Sequence, residues 1–112
     1  MQGTCKAAVW CGEKDIRVMD VKLPGCKDDG MIIKVNATSI CGTDLHVYTH
    51  KPAIPTILGH EICGTIVEMG KNANKTIKCF TGEMKVGDRI NLYPWITCGT
   101  CVNCLEYGVG AS

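Results

Sequence analysis

Short β-branched runs, each cut off by glycine, proline or aspartate, constrain this chain more than any other feature. Lys6 to Cys11 reads KAAVWC and Ile16 to Val21 reads IRVMDV, with Gly12, Glu13, Lys14 and Asp15 forming a hairpin connection between them. Pro24-Gly25 ends that unit, and Asp28-Asp29-Gly30 is a turn before MIIKVNA, Met31 to Ala37. ICGTIVEM, Ile62 to Met69, is a further strand, and its Gly64 marks either a bulge or a close backbone approach. Arg89 to Tyr93 is another, ended by Pro94. Thr38 to Leu58 has no sustained 3.6-residue pattern and reads as loop, with at most one helical turn near Asp44 to Tyr48. Lys71 to Thr81 is polar and basic and reads as an exposed excursion. Five or six short strands with almost no helix predict an all-β fold, a small irregular barrel or sandwich whose long loops carry the polar chemistry.

Composition narrows the functional classes. The 112 residues amount to one domain or part of one. A formal net charge of +1 with 21% charged residues gives no reason to expect nucleic acid or a membrane surface as partner. Aromatic residues at 5% are too sparse for base-stacking platforms. No apolar run approaches the length of a membrane span, and the start MQGTCKAAVW lacks the basic and long apolar regions of a signal peptide. Nine cysteines need an explanation, and an odd number without an export signal argues against a small exported protein held by disulfides. Metal ligation by some of them, with the rest as small hydrophobes, fits better and places the chain in the cytoplasm.

Two groups of metal-ligand type stand out. Cys41 and His60 are a soft thiolate and an imidazole, each able to bind Zn²⁺. Thr43, Asp44 and His46 add a hydroxyl, a carboxylate and a second imidazole just beyond Cys41, a set suited to moving a proton beside a Lewis-acidic metal. Asp44 could orient a ligand, and Glu61 could support the site or occupy a coordination position. On spacing alone, a buried structural Cys41 and a hydrogen-bonded structural His60 are the more frequent case, because a lone cysteine is more often a small buried hydrophobe than a ligand.

The second group is more specific. Cys98, Cys101 and Cys104 form two C-x₂-C steps that share their middle cysteine. Backbone amides in so tight a loop can donate to thiolates, and Gly99 relieves crowding. A structural zinc takes four protein ligands, yet no cysteine follows Cys104. Three buried thiols or one local disulfide are the alternative. An iron–sulfur run would continue to a fourth cysteine where Gly108 stands, so that reading is disfavoured. Cys5, Cys11, Cys26, Cys63 and Cys79 sit in or beside apolar segments and read as core or surface thiols.

Taken in order, KAAVW, CGTDLH at 41 to 46, GHE at 59 to 61, the strand run to Gly70, GDRI at 87 to 90 and CGTCVNC at 98 to 104 resemble one family. It is the zinc-dependent medium-chain alcohol dehydrogenases, specifically their amino-terminal GroES-like catalytic domain. The resemblance covers essentially residues 1–112 and implies a small, incomplete GroES-like barrel with a structural-zinc-type loop at 94–112. It implies that Cys41 and His60 are catalytic-zinc ligands, that Glu61 can enter the coordination, and that Thr43 takes the alcohol proton. Asp44 then becomes the carboxylate supporting the ligands and His46 a proton-relay residue. Cys98, Cys101 and Cys104 match three structural-zinc ligands, and the family's fourth position falls on Ser112, a poor replacement for a thiolate. Glu106 is a weak substitute.

The family continues into a nucleotide-binding domain, whereas no complete G-x-G-x-x-G fingerprint occurs here. The expectation is therefore a chain truncated before that domain, which binds zinc and a small alcohol or polyol but is inactive alone. NAD or NADP would serve only the full-length protein. Uncovered edges make homo-oligomer formation an expected hazard. A non-enzymatic zinc-binding or assembly module is the alternative.

Overall fold

A computed structural model describes residues 3–107 of the chain. Ser112, expected at the family's fourth structural-zinc position, lies outside the described residues.

The hairpin forms as its sequence directs. Strand β1 (Thr4–Gly12) pairs antiparallel with β2 (Asp15–Lys22), from Thr4 opposite Lys22 to Gly12 opposite Asp15. A two-residue strand β4 (Thr56–Ile57) lies on the other side of β1 and completes the first sheet, ordered β2-β1-β4. The sequence pattern predicts loop here, because a pairing of two residues carries no periodicity.

The second sheet has the order β3-β5-β6, again antiparallel, with β3 (Met31–Ser39), β5 (Glu61–Met69) and β6 (Arg89–Asn91). Here β5 is the central strand. Gly64 makes the close approach expected of it: a Cβ at that position would stand 2.3 Å from Ile33 Cγ2 and 2.7 Å from the Lys34 carbonyl oxygen. The β3–β5 ladder also slips by one residue between Val35 and Ala37, so Asn36 is the extra residue of a bulge.

Three short helices interrupt the sheets: α1 (Gly42–Tyr48), α2 (Ala73–Thr76) and α3 (Val102–Tyr107). The first is two turns rather than the single turn expected. The Lys71 to Thr81 excursion is exposed over most of its length but is anchored by Ala73, which is fully buried. The Asn74 side chain brackets Met84, donating to its carbonyl and accepting from its N–H, both at 2.8 Å.

The architecture is all-β with open sheets, in keeping with an incomplete barrel. The buried apolar set among the described residues is small: Val9, Ile66, Ala73, Met84 and Cys104. A radius of gyration of 16.0 Å compares with roughly 13 Å for a compact domain of this length. Val18, Ile40, Leu45, Phe80 and Trp95 accordingly remain exposed.

Candidate metal centre

Three segments converge at one end of the second sheet. Ser39 and Glu61 are cross-strand partners at the last pair of the β3–β5 ladder, and the chain leaves the sheet there in both directions. Two residues beyond Ser39, Cys41 stands at the entry to α1, with extended backbone at φ −87° and ψ 155°. On the other side, Gly59 takes φ +115°, a left-handed conformation that glycine adopts without strain, and so turns the chain to deliver His60.

The result brings together residues far apart in sequence. One donor atom each from Cys41, His60 and Glu61 lies within 4.8 Å of the others, a spacing compatible with a single metal ion. Cys41 and His60 are half-buried and Glu61 is exposed. Thiol, imidazole and carboxylate are the donor types that Zn²⁺ takes.

Asp44 ties this group to the helix. Its Oδ2 accepts from the Cys41 N–H at 2.9 Å, and its own N–H donates to the Cys41 carbonyl at 3.0 Å. The carboxylate thus satisfies a backbone donor at the start of α1 that would otherwise lack a partner, and it places negative charge at the helix's positive end. Its Oδ1 lies 3.7 Å from His60 Nδ1, beyond direct hydrogen-bond distance but close enough to favour one ring orientation. Cys41 Sγ sits 3.7 Å from Thr43 Oγ1, so the hydroxyl also borders the group.

His46 is placed differently. It lies on the exposed part of α1, its carbonyl 2.9 Å from His50 Nδ1 and its ring centroid 5.0 Å from that of His50. The structure therefore sets Thr43 and Asp44 beside the ligand group and His46 toward solvent. A cleft of about 470 Å³ borders the group, lined by Ser39, His60, Glu61, Cys63, Asn91 and Pro94 among others.

The thiol loop forms a second group. Cys98, Cys101 and Cys104 again place one sulfur each within 4.8 Å of the others. Cys101 Sγ is 3.5 Å and Cys98 Sγ 3.9 Å from Cys104 Sγ, and all nine cysteines are free thiols. Helix α3 presents Cys104, which is buried, back to this loop, with the Leu105 N–H donating to the Cys101 carbonyl at 3.0 Å. The N–H groups of Thr100 and Cys101 point at Cys98 Sγ from 3.5 and 3.3 Å, and these donors lower the Cys98 thiol to about 6. Three sulfurs gathered this closely, with amide donors aimed at one of them, are donors of the type that soft cations take.

Sequence reasoning identified both ligand groups but missed Ser39, whose hydroxyl donates to Glu61 Oε2. No periodic signal marks it, because a bulge decides its register.

Residues 27–111 match the family model described as the alcohol dehydrogenase GroES-like domain. Sorbitol dehydrogenase of Bacillus subtilis (strain 168) is 37% identical over 107 residues, covering 90% of this chain and 28% of that enzyme. Among solved structures, an Escherichia coli oxidoreductase of unknown specificity superposes with a TM-score of 0.77 at 31% identity, over 95% of this chain and 30% of its own. A Sinorhizobium meliloti 1021 protein assigned to the zinc-binding dehydrogenases, solved bound to NADP, gives 0.75 at 34% identity over 93% and 29%. The chain thus spans less than a third of the length of these relatives. No helix among the described residues is long and apolar enough to cross a membrane.

Proposed function

The chain belongs to the alcohol dehydrogenase GroES-like domain family, and from that premise we propose that it is the substrate- and zinc-binding portion of an NAD(P)-dependent alcohol or polyol dehydrogenase. The observation that carries the reading is the convergence of Cys41, His60 and Glu61 beside an open cleft. Three protein donors with a position left open is the arrangement of zinc sites that perform chemistry, whereas structural sites are closed by four. Zinc, when bound there, supplies a Lewis acid that makes an alcohol hydroxyl easier to deprotonate.

The chain's own residues supply the proton handling. Thr43 stands next to Cys41 rather than in the cleft wall, and its Oγ1 would accept the proton of an alcohol held at the open metal position while passing its own proton on. His46, exposed on the same helix, exchanges that proton with solvent. Asp44 keeps Cys41 and His60 oriented toward the open position. Ser39 and Asn91 add hydrogen-bonding groups to the cleft wall, which suits a substrate with more than one hydroxyl. Similarity to a sorbitol dehydrogenase and to the D-arabitol-phosphate dehydrogenase of Enterococcus avium supports the polyol class. Cys98, Cys101 and Cys104 supply three of the four ligands that a structural zinc takes, so a metal on this loop would be held less firmly than in a closed site. Nine free thiols are consistent with a reducing compartment, the cytoplasm.

The nicotinamide cofactor does not fit these residues. No complete dinucleotide-binding glycine fingerprint occurs in the 112 residues, so no hydride-transfer step is assigned to them. The chain alone therefore lacks a positioned hydride acceptor and does not turn over. Two measurements test the reading on the purified 112-residue chain. Metal analysis is expected to find zinc, with one equivalent lost in Cys41→Ala. NAD(P)H formation from alcohols or polyols is expected to be absent. Zinc content indifferent to Cys41→Ala, or turnover at an ordinary enzymic rate by this chain alone, overturns the proposal.

A further inference from the structure

We propose that Ser39 is a positioning residue for the Glu61 carboxylate, holding it at the mouth of the Cys41–His60 group so that an anionic third donor is pre-oriented there. The inference rests on the zinc-binding reading above and assigns to one side chain the geometry of that site.

The ladder register is the first observation. Lys34 faces Thr65 and Val35 faces Gly64, but Ala37 faces Cys63 and Ser39 faces Glu61, because Asn36 is bulged out. Without the bulge, continuing the upper register would set Thr38 opposite Glu61 and turn Ser39 to the other face of the sheet. A one-residue insertion thus brings the Ser39 hydroxyl to the carboxylate.

Position along the chain is the second. The two segments that carry the ligands leave the ladder at this pair, Cys41 two residues after Ser39 and His60 one residue before Glu61. The Ser39 hydroxyl donates to Glu61 Oε2 across that gap, and among the described residues Oε1 has no hydrogen-bond partner. It therefore acts on the carboxylate and also clamps the two ligand segments together.

The third is the surroundings of Glu61. The side chain is exposed, and among the described residues it has no ion pair. An untethered glutamate of this kind would distribute over several rotamers and lose ordering entropy on meeting a cation. Ser39 meets part of that cost in advance, as partners of metal ligands generally do. Both groups face water, so the benefit falls below the usual range for such partners.

The test uses the full 112-residue chain carrying Cys98→Ala and Cys101→Ala, which silence the thiol loop, and Co²⁺ as the probe. Visible absorption reports the Cys41 thiolate band and the d–d envelope. Ser39→Ala is expected to weaken Co²⁺ binding about fivefold and to shift the d–d envelope as the carboxylate is lost from the coordination. Ser39→Thr, which keeps the hydroxyl, is expected to restore both. In a Glu61→Ala background, Ser39→Ala should change neither. Unchanged affinity and spectrum in Ser39→Ala, or an equal loss in the Glu61→Ala background, overturns the positioning role while the metal site stands. Absence of any Cys41-dependent cobalt band with Ser39 intact overturns the metal site itself, and the positioning role with it.

Discussion

Replacing Gly64 by alanine is the sharpest test of how the fold supports the site. Gly64 lies in the middle of β5, opposite Val35 on β3 and Ile90 on β6. An added Cβ would meet Ile33 Cγ2 at 2.3 Å and the Lys34 carbonyl oxygen at 2.7 Å. A rotamer change in Ile33 can relieve the first contact. The second is with backbone, and β5 is hydrogen-bonded on both sides, so relief requires β3 to shift. Overpacking of this kind costs about 3 kcal/mol, and the lower unfolded-state entropy of alanine offsets about 0.7 kcal/mol of it. The expected net loss is about 2 kcal/mol, roughly a thirtyfold fall in the folded-to-unfolded ratio. Urea unfolding followed by circular dichroism should show the midpoint lowered by roughly 1 M at unchanged slope. Gly25→Ala serves as the control, since a Cβ there meets nothing within 4 Å. A Gly64→Ala midpoint equal to or above that of the parent would refute the reasoning. Because β3 and β5 also carry the segments leading to Cys41 and His60, Co²⁺ affinity should fall together with stability.

Two further expectations concern the ligand groups. Asp44→Ala removes the acceptor for the Cys41 N–H at 2.9 Å, which should cost about 1 kcal/mol in unfolding experiments and about tenfold in Co²⁺ affinity; unchanged affinity would show that Asp44 acts only on the helix. In the metal-free chain the N–H groups of Thr100 and Cys101 lower the Cys98 thiol to about 6, so deprotonation, and reactivity with it, rises as pH passes upward through that value. Iodoacetamide labelling of Cys98, read by peptide mapping, should inflect near pH 6 and level off below the ordinary thiol range of about 8.5. An inflection in that ordinary range would mean that the amide donors are not aimed at the sulfur in solution.

The strands were legible because their signal is local. Alternation and turn residues located β1, β2, β3, β5 and β6 to within a few positions. The two-residue β4 and the six-residue α3 were not, since neither is long enough to establish a period. What sets α3 is the thiol loop it follows: Cys101 caps the turn through its carbonyl while Cys104 packs inward beside the other sulfurs. Gly64 shows the opposite case, where a missing side chain was itself the signal, and the close approach of Lys34 and Ile33 is its cause.

For the site, the local thiol spacing singled out Cys98, Cys101 and Cys104, whereas Cys41 and His60 stood out through the motifs that carry the family resemblance. The family resemblance lay in the same motifs, and the GroES-like domain match over residues 27–111 agrees with it. Spacing could not say that Cys41 and His60 meet, and only the family resemblance implied it. Their meeting depends on an antiparallel ladder that ends at Ser39 and Glu61, on a glycine turned to φ +115° before His60, and on one bulged residue at Asn36. Ligand identity is a property of single side chains and so can be read from sequence. Ligand convergence is a property of strand register, which a one-residue slip reverses, and only the tertiary structure decides it.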